Sequence, residues 1–254
     1  MPLHARCVRR SPSVRHGAIA VTLSLVVLAC SGGAPSPAVV ATPPPTPTPA
    51  PSVDVGAVYA KSVVAAFASD PLVMHVEQTA KLTVKDGKKS VKENVSTTLD
   101  LSDRDLSAQF ETTTGGKTTT DLDIVVVGKS VYAREGKERW VSGPRSSAEQ
   151  NIADVIRAIP AIRDPSHLRY VGVETIDKRK LQRLTATRKL SYVMSIGQMG
   201  TFDTFDIWIE EDGTPVLAKG TVSAIGPYGV EITGTNELRF TKFGGPIKIV
   251  APKN

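Results

Sequence analysis

The sequence predicts an α+β domain in which a curved antiparallel β-sheet of about ten strands wraps over two or more helices. From Leu72 onward, apolar residues recur at every second position, which is the period of a strand with one buried face. Short glycine-containing turns separate these stretches, and turns this short force antiparallel pairing. The resulting sheet has one apolar and one polar face, so its apolar face needs a cover.

Two segments of helical spacing are predicted to supply that cover. Ser52 or Asp54 can cap a first helix that runs to about Ser69, before Asp70-Pro71. Its predicted apolar face consists of Val55, Val58, Tyr59, Ser62, Ala66 and Phe67. A second helix is predicted from a capping box at 147–150 to 159, with the apolar stripe Ile152, Val155, Ile156 and Ile159.

The strand predictions begin at Leu72, with a first hairpin turn at Asp86-Gly87. Alternation continues through 91–101. Further strands are predicted at 105–113, 119–127, 130–134, 138–142, 168–176, 181–189, 202–210, 215–224 and 229–243. Side chains expected to face the helices are Leu82, Leu99, Phe110, Ile124, Trp140, Ile156 and Trp208.

The first 29 residues are typical of a secretory signal: four arginines precede a charge-free apolar run at 17–29. That run is shorter than the roughly 20 residues needed to span a bilayer. Val27-Leu28-Ala29-Cys30 resembles the lipobox of bacterial lipoproteins, in which the cysteine is lipidated and becomes the new N-terminus. The alternative is an ordinary secretory signal with a chance cysteine. We therefore predict a signal peptide at 1–29, lipidated Cys30 with a linker to 52, and one domain at 53–254.

The linker consists of Ser, Gly, Ala, Thr, Val and Pro, and its prolines favour an extended, unfolded chain. It can hold a domain up to roughly 70 Å from a membrane; a proline-rich signalling ligand is the alternative. Cleavage at Cys30 would remove four arginines and no carboxylate, so the formal net charge would fall from +6 to +2. That balance gives no support for nucleic-acid binding.

No catalytic constellation is evident, so we expect neither an enzyme nor a cofactor or metal site. Only His75 and His167 remain after cleavage, and no nucleophile, zinc or dinucleotide motif is present. The basic run Lys178-Arg179-Lys180, with further cations to Lys189, is typical of a solvated strand edge. Contact with lipid head groups is its alternative interpretation.

The apolar segment 190–200 is flanked by glycine and contains two of the four methionines. Core filling is the first interpretation of this segment, because methionine adapts to irregular apolar space. A mobile lid or membrane-touching loop is the alternative, with Tyr192, Met194 and Met199 as lid candidates.

Three patches resemble a known family: Val131-Tyr132 with Trp140, Ile207-Trp208-Ile209 leading to Asp212-Gly213-Thr214-Pro215, and the C-terminal 243–249 followed by Pro252. With the lipobox, they resemble LppX/LprAFG-type lipoproteins of the LolA/LolB-like superfamily. The resemblance implies a half-barrel of antiparallel strands wrapped over helices, enclosing an apolar cavity for acylated lipids. Candidates for lining that cavity are Val58, Phe67, Leu82, Leu99, Phe110, Ile124, Trp140, Ile152, Val155, Ile156 and Trp208.

It also implies a function: carrying lipids or glycolipids across the cell envelope, anchored through Cys30 on the extracytoplasmic face of the cell membrane, with envelope transport proteins as partners. The alternative is a non-catalytic envelope module with a solid core that binds a protein partner or acts as a sensor. Cavity-lining and core residues are both apolar, so the sequence alone leaves the two open.

Overall fold

Antiparallel strands make up most of the structure, which is a computed structural model describing residues 54–145, 164–193, 199–226 and 229–253. The helix α1 spans Val55–Phe67. The strands are β1 Val73–Asp86, β2 Lys89–Ser102, β3 Asp105–Thr114, β4 Lys117–Val127, β5 Ser130–Glu135, β6 Val141–Pro144, β7 Leu168–Ile176, β8 Arg179–Ala186, β9 Leu190–Val193, β10 Met199–Ile209, β11 Pro215–Ile225 and β12 Glu231–Phe243.

The described strands form one open sheet in the order β6-β5-β4-β3-β2-β1-β12-β11-β10-β8-β7, with β9 paired to β10. Every pair is antiparallel, as the short turns predicted. The count of twelve exceeds the predicted ten. The first and last strands, β1 and β12, pair along almost their whole length at the centre of the sheet.

Helix α1 begins where the sequence predicted, because the Asp54 side chain accepts a hydrogen bond from the Ala57 amide at 3.2 Å. Its predicted apolar face is right for Phe67, which is buried, and for Tyr59, which packs against the main core, but wrong for Val55 and Val58, which are exposed. Ala60 and Val63, which were not predicted, are the other buried residues. Apolar residues surround most of this helix, so packing against the sheet determined which side is buried. It is the one α-helix of the described residues, and the predicted second helix at 147–159 lies outside them.

The side of the sheet that carries α1 is called the inner face, and the opposite side the outer face. On the inner face, the Phe67 ring meets the rings of Phe240 and Phe243 edge-on, with centroids 5.8 and 5.3 Å apart. The main core extends from there under α1 and includes Leu72, Met74, Val76, Leu99, Leu101, Leu106, Leu184, Ile207 and Ile209.

The turn between β10 and β11 touches the middle of α1. Gly213 has a φ of +92°, and a Cβ built on it would lie 2.4 Å from the Ser62 Cβ. Only glycine tolerates both that backbone angle and that approach. The turn therefore fixes how closely the helix sits on the inner face. Within the described part of the chain, no helix has the length and apolar character needed to cross a membrane.

Candidate functional site

The inner face continues as an apolar surface beyond the core under α1. A second cluster lies farther along the same strands, because Ala80 and Leu82 share the face of Val76 on β1. Its buried members are Ala80, Leu82, Val95, Val222, Ala224 and Ile232, and Val84, Phe202 and Val230 pack against them. Helix α1 contributes no residue to this cluster.

On β1, β2 and β12 a polar belt lies between the two apolar clusters, whereas Phe202 on β10 packs against both. Gln78 follows Val76 on the inner face, is buried, and donates through Nε2 to the Asn236 Oδ1 at 3.1 Å. Thr97, directly opposite Gln78 on β2, is also buried. Buried amides are costly unless they are hydrogen-bonded, and this pair satisfies part of that need internally. The inner face is thus apolar, then polar, then apolar again.

A single carboxylate stands at the far margin of the second cluster. Glu93 pairs with Leu82 on β1 and with Thr114 on β3, which places it on the inner face. Partial burial raises the pKa of its carboxyl, because desolvation disfavours the charged form. None of the described basic side chains lies within salt-bridge distance of it.

The outer face is organised by ion pairs. Arg183 lies 2.7 Å from Glu174 and 3.2 Å from Asp206, and its guanidinium lies over the ring of Trp208. The Trp208 Nε1 donates to Glu174 at 2.8 Å. Hydrogen bonds from Arg183 and then Trp208 hold the pKa of the Glu174 carboxyl below its usual range.

The expectation that Trp208 faces the helix is therefore wrong. Successive side chains of a strand point to opposite faces, and Ile207 and Ile209 occupy the inner one. Trp208 packs with Leu181 and Leu217 in a separate cluster on the outer face. The polar residue Asp206, two positions earlier on the same side, is the sequence signal for this orientation.

Trp140 also sits beside an ion pair. Arg134 donates through Nε to Asp123 at 2.5 Å, and its guanidinium lies 4.8 Å from the centre of the Trp140 ring. Asp123 follows Leu122 and precedes Ile124, which packs against the main core. Asp123 and Arg134 consequently belong to the outer face, and Trp140 lies with them. The expectation that Trp140 faces the helix is therefore also wrong.

The remaining cavity candidates fall into three groups. Phe67 and Leu99 are buried in the main core, with Phe110 and Ile124 packed against it, and Leu82 belongs to the second cluster. Val58 is 48% exposed. Three candidates of the predicted second helix, Ile152, Val155 and Ile156, lie outside the described residues, as does Cys30.

The segment 190–200, interpreted first as core filling and alternatively as a lid or loop, is strand at both ends, and Leu190 is buried in the main core. Tyr192 and Met199 belong to β9 and β10, which pair with each other from Leu190–Phe202 to Val193–Met199. Met194 lies outside the described residues. The lid prediction for this segment stays a prediction.

Two cavities lie among the described residues, and neither is lined by the second apolar cluster. One of about 370 Å³ lies on the outer face between polar side chains that include Lys81, Asp206, Lys219 and Glu237. The other, of about 550 Å³, lies between the start of α1 and the segment 165–170. In the described part of the chain, no group of three or more His, Cys, Asp or Glu side chains forms a candidate metal site.

The sequence analysis did not identify the polar belt or Glu93 as features of the inner face. Each interrupts an apolar series on alternate positions: Gln78 falls between Val76 and Ala80, and Glu93 precedes Val95 by two. Such interruptions are the sequence signal that could have identified these residues. Their burial, however, depends on strands distant in sequence.

These observations define an open antiparallel sheet with an ion-paired outer face and an inner face that stays apolar beyond its helix. No family model matches the chain, and no curated protein matches it. Similar solved structures include a DUF1329 family protein from Desulfovibrio piger, with 12% identity, TM-score 0.32, and coverage of 74% of this chain and 93% of that one.

Two others are a putative outer membrane lipoprotein-sorting protein domain from Vibrio parahaemolyticus and a LolA superfamily protein from Nitrosomonas europaea. The first has 10% identity and TM-score 0.28, and covers 76% of this chain and 94% of its own. The second has 8% identity and TM-score 0.25, and covers 73% and 91%. Similarities at this level establish neither a shared fold nor a shared activity.

Proposed function

We propose that the protein is a lipid-anchored, non-catalytic envelope protein that binds the acyl chains of lipids or glycolipids on its inner face and carries them across the cell envelope. One observation supports this most: the second apolar cluster shares the inner face with the main core, but α1 supplies none of its residues. An acyl chain is a ligand of the right chemistry for such a surface.

The energetics favour a carrier of this kind. Each methylene removed from water contributes about 0.8 kcal/mol, so a palmitoyl chain left in water costs on the order of 12 kcal/mol. A carrier must cover that chain with apolar surface. The belt of Gln78, Thr97 and Asn236 beside the cluster offers hydrogen-bonding groups for the polar part of an amphiphile.

The membrane anchor in this proposal rests on Val27–Cys30 and the apolar run before it. Two or three chains on one cysteine hold a protein stably on a bilayer, whereas one chain binds only marginally. We expect Cys30→Ala to abolish lipidation and to release the domain from the membrane fraction. A variant that stays membrane-bound with its signal removed would contradict the anchor.

Lipid binding can be tested with two neighbouring positions on β2. Val95 is buried in the second cluster, and Ser96 beside it is exposed on the outer face. We expect Val95→Trp to fill the acyl site and to lower the uptake of palmitic acid carrying an environment-sensitive fluorophore at least tenfold. Ser96→Trp adds the same ring to the other face and should leave uptake unchanged.

A thermal melt on the same variants separates the carrier from the solid module. In a solid core, Val95→Trp would overpack and destabilise the fold by about 1–3 kcal/mol, with no uptake to lose. In a carrier, uptake falls while the melting temperature changes little. No uptake by the unchanged protein, together with a large drop in the melting temperature of Val95→Trp, would overturn the carrier. If the unchanged protein takes up the fatty acid, mass spectrometry of lipids extracted from the native protein would identify the ligand class.

A further inference from the structure

The hairpin tips opposite the helix end of β1 and β12 form one rim of the sheet, which consists of residues 85–93, 114–117, 225–226 and 229–231. The strand register places these segments side by side. Lys85 pairs with Ser90 on β2 and with Glu231 on β12, and Glu231 pairs with Ile225 on β11. The row before it contains Val91, Val84 and Ile232.

Two large apolar side chains on this rim are exposed. Ile225 is 65% exposed at the end of β11, and Val91 is 41% exposed beside the tip of the first hairpin. Ile225 directly follows Ala224 of the second apolar cluster, and Val91 pairs with Val84, which packs against that cluster. Val91 therefore lies at the margin of the apolar inner face, whereas Ile225, one position after Ala224, lies on the outer face at the same rim.

The same rim is basic. It contains five lysines against three carboxylates. Lys85 is paired with Glu231 at 3.2 Å, whereas Lys88, Lys89, Lys92 and Lys117 have no carboxylate within salt-bridge distance among the described residues. Four turns at the opposite rim, 102–105, 127–130, 176–179 and 209–215, contain six carboxylates against four basic side chains.

Three of the six cations in the predicted basic run 178–189 are paired with carboxylates of the protein. Arg179 pairs with Glu210, Arg183 with Glu174 and Asp206, and Lys189 with Asp203 at 2.6 Å. Those three charges are neutralised within the protein, whereas Lys178 and Lys180 have no carboxylate within salt-bridge distance among the described residues. The hairpin-tip rim differs from the run in combining four such lysines with two exposed apolar side chains.

We propose that the hairpin-tip rim is the surface by which the protein docks on an anionic lipid bilayer, with Ile225 and Val91 entering the head-group layer and the lysines facing lipid phosphates. Apolar side chains surrounded by lysines bind a negatively charged membrane both by burying apolar surface and by electrostatic attraction to the lipids. The inference rests on the proposed function, since docking here would bring the open end of the inner face to the acyl chains.

Sedimentation with vesicles tests the docking surface. The protein is the chain expected after cleavage, residues 30–254, with Cys30→Ala throughout so that no lipid anchor contributes. Vesicles of phosphatidylglycerol and phosphatidylcholine should carry down the protein, and vesicles of phosphatidylcholine alone should carry down much less. Added salt should weaken the binding, because exposed charges are screened.

Matched variants locate the surface. We expect Lys88→Ala with Lys89→Ala to weaken binding about twenty-fivefold, since one lysine near an anionic membrane is worth about fivefold. We expect Ile225→Ser to weaken vesicle binding about tenfold. Lys129→Ala with Lys248→Ala is the control for the two lysines, because it removes two exposed lysines elsewhere. Val250→Ser is the control for Ile225→Ser, because it removes an exposed β-branched apolar residue elsewhere. Equal binding to both kinds of vesicle, no binding to either, or equal losses in rim and control variants would overturn the proposal.

The two proposals fail in different ways. The rim variants should keep full uptake of the fluorescent fatty acid, and Val95→Trp should keep full vesicle binding. Vesicle binding without fatty-acid uptake would overturn the carrier and leave a membrane-docking module. Fatty-acid uptake without vesicle binding would overturn the docking surface alone.

Discussion

The inner and outer faces of this sheet arise from the same strands but are stabilised differently. On β10, Ile207 and Ile209 are buried in the main core, while Trp208 between them lies on the outer face. The inner residues are held by burial of apolar surface. Trp208 is held also by its hydrogen bond to Glu174 and by the guanidinium of Arg183. An aromatic residue can therefore belong to a polar face when its N–H and ring both have charged partners.

The carboxylates of the two faces show the same contrast. Glu93 on the inner face has a raised pKa because its surroundings desolvate it. Glu174 on the outer face has a lowered pKa because Arg183 and Trp208 donate to it. The inner face disfavours charge and the outer face supplies partners for it. Substitutions on the two faces should accordingly differ in size and in sign.

The largest difference is expected at neighbouring positions of β8. Leu184 is fully buried on the inner face, and Leu184→Ala should lower the free energy of unfolding by about 2–5 kcal/mol, through lost burial and the cavity left behind. Thr185→Ala on the outer face should cost less than about 1 kcal/mol. Urea unfolding of both variants measures the difference; equal losses would contradict the assignment of the two faces.

A substitution at Gly213, in the turn that contacts α1, should weaken the packing of α1 on the inner face. Gly213→Ala combines an unfavourable positive φ with a clash against Ser62, so we expect a loss of about 2–4 kcal/mol. Gly116→Ala is the control, since it has a positive φ of +79° but no atom near an added Cβ. Thermal melts compare them. If both variants lose the same stability, the contact between turn and helix contributes nothing.

Breaking the central ion pairs of the outer face should have a smaller effect. Arg183→Met keeps the apolar stem but leaves Glu174 and Asp206 without their shared cation, for a loss of about 1–2 kcal/mol. Lys85→Met breaks the exposed pair with Glu231 and should cost at most about 1 kcal/mol. Chemical unfolding of the two variants at low salt would refute this ranking if Lys85→Met were the more damaging.

The smallest effects should differ in sign. A raised pKa means that Glu93 favours folding below the ordinary glutamate pKa of about 4.3, and that this contribution is lost as pH rises through its folded value. Glu93→Gln should therefore raise the melting temperature at neutral pH and change little in acid. The gain should stay below about 1 kcal/mol, because the carboxyl is partly solvated.

Glu174 should behave in the opposite way. Its lowered pKa favours folding above the ordinary value, and that contribution is lost as pH falls through its folded pKa. Glu174→Gln should lower the melting temperature at neutral pH, with the difference fading in acid. Melting curves of both glutamine variants from about pH 3 to 8 provide the measurement. Shifts of the same sign at neutral pH would contradict the contrast between the faces.

The sequence by itself determined much of the local structure of the described residues. Asp54 marks the start of α1, and alternation from Leu72 with turns such as Asp86-Gly87 gives antiparallel strands. These features follow from capping, from the two-residue period of a strand and from the reach of a short turn. All of them act between residues close in the chain, so a linear pattern is enough to predict them.

Only the tertiary structure decided how those elements meet. The pairing of β1 with β12 joins segments about 150 residues apart, and no local pattern specifies that partner. This pairing places Gln78 beside Asn236 and builds the second cluster from β1, β2, β11 and β12. The sequence did not determine the buried side of α1 either, because Val58 and Val63 are chemically identical and only Val63 is buried. Burial is a property of the assembled neighbours, and side-chain chemistry alone does not determine it.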